Sequence, residues 1–186
     1  MKRISFSAIL FCFTFACSPR TIDISASARG CLKVPLSSET FPDEYFAGYS
    51  LILFDQSGRH DLEVQLEIRS DGNGALVGFS PIGNREFSVS DFLSGPKVEM
   101  SPLYRAAIAP EFLLLLFRLT LSPLKAIGNE LSSCGIAIAE EGKLSSTRIF
   151  RGLSSGALFV DANEHGDIRV FDLSGKFTLI GKRHPN

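Results

Sequence analysis

The chain has 186 residues, enough for one domain of ordinary size with a buried core and too few for two. It is 45% hydrophobic and 21% charged, which argues against intrinsic disorder. The formal net charge is −1, from 19 Lys and Arg against 20 Asp and Glu, so the positive excess typical of nucleic-acid binders is missing.

Residues 1–16 have the features of a secretory signal peptide. Lys2 and Arg3 precede an almost uninterrupted apolar run, 4–16. A transmembrane helix needs about 20 apolar residues, so a permanent membrane span is not expected here.

Cys17 is the candidate lipidation site. It follows the small residue Ala16, as in a bacterial lipobox, where the cysteine is acylated and becomes the new N-terminus. Thr14 and Phe15 depart from the usual lipobox residues. The alternative is ordinary signal-peptidase cleavage near the same point or after Ala28.

Ser18 follows the candidate lipidation site. An Asp at that position commonly retains bacterial lipoproteins in the inner membrane, so its absence favours an outer-membrane lipoprotein that faces the periplasm. Several acyl chains on one cysteine give stable anchoring. Residues 17–44, the lipidated N-terminus and tether, lead into a domain over 45–182.

Two further cysteines, Cys31 and Cys134, remain in the mature chain once Cys12 has left with the leader and Cys17 is acylated. In an oxidising periplasm they form a possible disulfide, and two separate buried thiols are the alternative.

From Tyr45 the pattern is typical of strands. Residues 61–69 alternate apolar and polar side chains, which predicts a half-exposed antiparallel strand. Its apolar face consists of Leu62, Val64, Leu66 and Ile68. The strands are expected at 45–54, 61–69, 75–79, 85–92, 98–100, 136–139, 147–151, 157–161, 167–172 and 176–180.

The middle of the chain is predicted to be helical. Pro110 and Glu111 suit the first turn of a helix whose next residues, 112–121, are apolar almost all round. A second helix is expected over 122–131. The order of strands, helices and strands predicts a mainly β (α+β) fold, with a curved antiparallel sheet or unclosed β-barrel covered by two or three helices.

Two motifs carry weak chemical signals. Residues 152–156 match G-x-S-x-G, but a helix should follow the Ser154 nucleophile and a strand-like run follows instead. Residues 161–167 are similar to the start of a calcium loop, although a hairpin turn using Asn163 and Gly166 explains them better. No spacing indicates a metal or other cofactor, and the sequence does not suggest an enzyme.

The remaining functional indication in the sequence is its set of apolar residues. The central helix and the inward strand positions form either an ordinary core or a cavity that accepts acyl chains. The candidate cavity residues are Leu62, Val64, Leu66, Ile68, Phe112, Leu113, Leu116 and Phe117.

The stretch LEVQLEIRSDGNGALVGFSPIGNREFSV, followed later by APEFLLLLFRLTLSPL, resembles the LolA/LolB-type lipoprotein-carrier superfamily and most closely a small uncharacterised LolB-like lipoprotein family. The resemblance covers about residues 45–182. It implies an unclosed β-barrel with helices around an apolar cavity for acyl-chain or lipoprotein cargo.

The same resemblance implies a role for one loop. In LolB an Asn-Pro-Leu-Gly loop engages the membrane, and Ser80, Pro81, Ile82 and Gly83 match it here with Ile in place of Leu. The alternative is an Ile82 folded into the core. The expected function is binding or transfer of acylated molecules by a membrane-anchored lipoprotein, and the alternative is a structural or assembly lipoprotein that docks a partner protein.

Overall fold

The computed structural model describes residues 44–69, 73–92, 95–122, 128, 131–132, 136–141, 146–153 and 156–185. These residues form ten strands and one helix with defined bounds. The strands are β1 (Tyr45–Asp55), β2 (Gly58–Ile68), β3 (Gly74–Phe79), β4 (Arg85–Phe92), β5 (Gly95–Met100), β6 (Ala137–Glu141), β7 (Ser146–Leu153), β8 (Gly156–Ala162), β9 (Ile168–Asp172) and β10 (Thr178–Arg183). Helix α1 (Pro110–Leu121) lies between β5 and β6 in the chain.

All ten strands belong to one antiparallel sheet in the order β5-β4-β3-β2-β1-β10-β9-β8-β7-β6. Each half of the chain is a meander of five strands, and the first and last strands pair to join the two halves, with Leu51 opposite Gly181. Strands β5 and β6 are the two edges, so the sheet is not closed. The prediction of a mainly β protein with an open antiparallel sheet is confirmed.

Strand β2 shows why the core lies on one face of this sheet. Leu62, Val64, Leu66 and Ile68 are all buried, whereas the residues between them are exposed or half-buried. Successive side chains of a strand point to opposite faces, so every second residue reaches the core. The alternation predicted over 61–69 is thereby confirmed.

The sheet has two ends, which we name after one residue each. The Ile82 end carries the turns that follow β1, β3 and β9, together with residues 101–107. The Tyr45 end carries the start of β1, the turn 163–167 and residues 183–185. The pairings of β1 with β2 and β10 fix this assignment, because they place the last residues of β1 beside the first residues of both partner strands.

Helix α1 begins as its sequence predicts. Pro110 stands in the first turn, where the missing N–H has no intrahelical partner, and Glu111 lies near the positive helix end. The expectation of two or three covering helices is not matched, since one bounded helix is described. The predicted helix 122–131 lies mostly outside the described residues, although Gly128 and Leu131 have helical backbone.

The turn 163–167 is a hairpin connection between β8 and β9, as its sequence predicts. The Asn163 side-chain carbonyl accepts hydrogen bonds from the backbone N–H groups of His165 and Asp167, and Gly166 has a φ of +83°. Asn163 thus shapes the turn through its side chain, while glycine supplies the left-handed backbone.

Candidate functional site

The apolar face of the sheet is the candidate functional site. Each strand between the edge strands β5 and β6 contributes alternate side chains to this face, so both halves of the chain line the same surface. Its fully buried members include Leu51, Leu66, Leu76, Val160, Val170 and Leu179.

Helix α1 lies against this face and is buried on nearly every side. Ten of its twelve residues are buried. The Phe117 ring packs against Tyr49 of β1 with centroids 4.9 Å apart, and the Phe112 ring packs edge-on against Phe177 at 5.6 Å. Ile108 and Leu131, which lie outside the sheet, belong to the same core cluster, so the cover of the helix includes more than the sheet.

The eight predicted cavity residues, four on β2 and four on α1, all belong to one buried core cluster. The four strand residues are 0–3% exposed, and Leu113, Leu116 and Phe117 are 0% exposed. A side chain that borders a void large enough for water keeps accessible surface, so these three helix side chains touch protein on all sides. The helix thus fills the sheet face for which the sequence left open an ordinary core or an acyl-binding cavity.

Arg148 is a site residue that the sequence reasoning missed. It points inward from β7 and is 6% exposed. Its Nη1 donates hydrogen bonds to the carbonyl oxygens of Leu119 at 2.7 Å and Ser122 at 2.6 Å. These carbonyls end α1, where backbone acceptors lack intrahelical donors and the helix dipole is negative. A sequence signal existed, because Arg148 is in phase with the buried Phe150.

Arg118 is the second buried arginine, and it belongs to the helix itself at 5% exposure. It lies close to the start of β3, where Gly74 leaves room. A Cβ added to Gly74 would lie 3.4 Å from Leu114 Cδ1 and 3.6 Å from Arg118 Nε. Because Gly74 has no side chain, the helix packs close to the backbone of β3 at this position.

Asp55 holds the segment that leads into the other end of α1. Its carboxylate accepts hydrogen bonds from the backbone N–H of Ala107 at 2.6 Å and of Ser57 at 2.7 Å, and its side chain is fully buried. Burial favours the protonated acid, but the hydrogen bonds from Ser57 and Ala107 outweigh it and lower the pKa of Asp55. One charged residue from the sheet therefore restrains each end of the helix.

Two groups of serine, histidine and acid lie on the described strands and turns, and the first includes Asp55. In one, His60 Nε2 contacts both Ser57 Oγ at 2.8 Å and Asp55 at 3.3 Å. In the other, His184 Nε2 contacts both Ser50 Oγ and the carboxylate of Glu63. A catalytic triad uses the two different ring nitrogens of histidine, so neither group has the arrangement of a triad.

Ile82 projects into solvent at the tip of the β3–β4 turn and is 83% exposed. The turn is closed by hydrogen bonds from Gly83 N to Ser80 O and from Ser80 N to Asn84 O. Gly83 has a φ of +86°, a conformation that glycine adopts without strain. Ile82 is thus not part of the core, which removes that alternative.

The remaining predicted positions Cys17, Cys31, Cys134 and Ser154 lie outside the described residues. Within the described ranges, no three His, Cys, Asp or Glu side chains form a group suited to a metal ion. No helix in this part of the chain is long and apolar enough to span a membrane.

Comparison with known proteins places the chain in a family. The family described as "Protein of unknown function (DUF3261)" matches residues 51–179, which run from β1 to β10 and include α1. The chain belongs to this family. No curated protein matches it.

Proposed function

We propose that this member of the DUF3261 family binds or transfers acylated, lipid-like molecules on the apolar sheet face that α1 now occupies. The observation that carries the proposal is a helix of ten buried residues out of twelve, set as a separate element against an open apolar sheet. Such a helix presents the sheet with the same kind of surface that an acyl chain would present.

An acyl chain offers a burial energy comparable with that of part of the helix. Burying a methylene group is worth about 0.8 kcal/mol, so a chain of about twelve methylenes supplies roughly 10 kcal/mol. This is comparable with what a few buried leucine and phenylalanine side chains contribute at about 1.5–3 kcal/mol each. An acyl chain can therefore compensate for lifting part of α1 from the sheet.

The setting we propose is a lipoprotein held in the outer membrane through acyl chains on Cys17 and facing the periplasm. The signal-peptide pattern and the lipobox-like cysteine support it. The likeness to LolA and LolB supports acylated cargo, and a second helix over 122–131 would complete the cover beside α1.

The test is uptake of a fluorescent fatty acid, followed by hydrogen exchange with and without the fatty acid. We expect backbone amides of α1 to lose protection on binding while those of β1 and β2 keep theirs, because the ligand displaces the helix and not the sheet. Binding with unchanged exchange in α1 would place the ligand elsewhere, and no uptake together with lipid-free protein on mild extraction would contradict the proposal.

A second candidate function is that of an assembly lipoprotein that docks an envelope partner. The complete burial of Leu113, Leu116 and Phe117 favours it, since a filled core needs no ligand. Under this alternative α1 keeps its protection at every fatty-acid concentration, and cross-linking in intact cells captures one partner in a fixed ratio.

A further inference from the structure

Buried polar and charged residues of the described core are concentrated where α1 ends. They are Arg118 (5% exposed) and Thr120 (3%) in the last turn, Ser122 (0%) directly after it, and Arg148 (6%) on β7. The Ser122 hydroxyl is buried and has no hydrogen-bond partner among the described residues, so this place keeps hydrogen-bonding capacity that these residues do not use. Two of the four residues are arginines, which gives this part of an apolar core a positive charge.

The two ends of the helix differ in charge. The Asp55 carboxylate is buried beside the segment that leads into α1, where it accepts a hydrogen bond from Ala107 N at 2.6 Å. The sheet therefore places a negative charge near the start of the helix and the positive charge of Arg148 near its end. A ligand with one anionic group and one apolar chain is attracted with its anionic group toward Arg148 and repelled from Asp55.

Arg148 belongs to the sheet, and its acceptors belong to the helix end. Its side chain emerges from β7 in phase with the buried Phe150. Its Nη1 donates to the carbonyl oxygens of Leu119 and Ser122, both at the end of α1. If an acyl chain displaces this part of the helix, the two carbonyl oxygens leave with it while the guanidinium stays on the sheet.

The displaced state makes a chemical demand on the ligand. A guanidinium that stays covered by apolar groups and loses hydrogen-bond acceptors costs free energy. An acyl chain with a neutral end covers Arg148 again without returning an anionic acceptor. A chain that ends in a carboxylate or a phosphate supplies anionic oxygens, and hydrogen bonds between arginine and such oxygens are short and strong.

We propose that the apolar sheet face is selective for acyl chains with an anionic head, a carboxylate or a phosphate, and that Arg148 binds this head. The inference rests on the proposed function, because Arg148 becomes available only when the end of α1 is displaced. It goes further in giving the ligand a charge, a head-binding residue and an orientation, with the apolar chain extending from Arg148 toward the Asp55 end of the helix.

The test compares a fatty acid that carries a fluorophore at its methyl end with the methyl ester of the same molecule. Both are titrated into the full-length protein at mildly alkaline pH, where the acid is ionised. We expect the wild type to bind the acid about tenfold more tightly than the ester, or more, because only the acid offers a charged acceptor. Arg148→Met should reduce this ratio to less than about threefold, and Arg148→Lys, which keeps the charge, should retain more of it.

Leu116→Ala separates recognition of the head from restraint of the helix. This substitution loosens α1 without removing a charge, so it should tighten binding of the acid and the ester by the same factor and leave their ratio unchanged. In a further arm, dodecanoate and dodecyl phosphate compete for the bound acid. Stronger displacement by the first assigns a carboxylate head, and stronger displacement by the second assigns a phosphate head.

Equal binding of acid and ester by the wild type would overturn the inference and leave the proposed function standing. An unchanged ratio in Arg148→Met would overturn the assignment of the head to Arg148. Binding of neither ligand would contradict the proposed function and the inference with it. The comparison within the wild type decides the question even if Arg148→Met does not fold.

Discussion

Arg148 on β7 donates through one nitrogen to the carbonyl oxygens of both Leu119 and Ser122, and so closes the end of the central helix from the sheet. The interaction joins β7, in the second meander of strands, to the helix that follows the first meander. A buried cation is stable here because the helix end supplies acceptors and a negative dipole.

Arg148→Met should lower the free energy of unfolding by about 2–4 kcal/mol, because two buried carbonyl groups lose a charged donor. Arg151→Met is the matched control, since Arg151 is exposed on the same strand, and it should change stability by less than about 0.5 kcal/mol. Urea unfolding of both variants measures the difference. Equal effects would show that Arg148 does not secure the helix.

Asp55→Asn should lower stability at neutral pH by about 1–3 kcal/mol, because the hydrogen bonds from Ala107 and Ser57 lose a charged acceptor. The exposed carboxylate of Asp61 gives the control, Asp61→Asn, which should have little effect. Thermal unfolding at neutral pH compares the two, and equal shifts would contradict the role assigned to Asp55.

The stability due to Asp55 should depend on pH. Its pKa is lower in the folded protein than in the unfolded chain, so its contribution is complete above the ordinary aspartate pKa of about 3.9. As the pH falls from there through the folded-state pKa, the unfolded chain takes up the proton first and the contribution is lost. The stability difference between wild type and Asp55→Asn should therefore shrink over this acidic range.

Gly78→Ala should destabilise the sheet by about 1–3 kcal/mol, because a Cβ at this position would overlap the ring of the buried Phe87, with Phe87 Cδ1 only 2.8 Å away. In a protein that already carries Phe87→Leu, Gly78→Ala should lower the free energy of unfolding by less than it does in the wild type. A double-mutant cycle by urea unfolding measures this coupling, and additive effects would contradict the overlap.

Leu116→Ala provides a prediction that joins stability to the proposed function. Removing this buried side chain should cost about 2–5 kcal/mol and loosen α1. If an acyl chain binds by displacing the helix, the apparent affinity for the fluorescent fatty acid should rise at least tenfold, since displacement becomes easier. Leu66→Ala, on the sheet, removes ligand-binding surface as well and should not raise the affinity.

Much of the fold could be predicted from local patterns. The alternation around Leu62 and Val64, and the strand bounds at Arg85–Phe92, agree with the structure because alternation along a strand reports which face is buried. Pro110 marked the start of α1 for an equally local reason. The candidate cavity residues share apolar character and all lie in the buried core, while their role in a cavity stays a prediction.

The sequence alone determined the antiparallel strands, the turns between them and the apolar helix, because each depends on neighbours within a few residues. Only the tertiary structure decided that the helix fills the sheet face, that Arg148 secures it and that Phe54 and Leu173 share one end with Ile82. These relations join residues far apart in the chain, and strand pairing and curvature of the whole sheet are what bring them together.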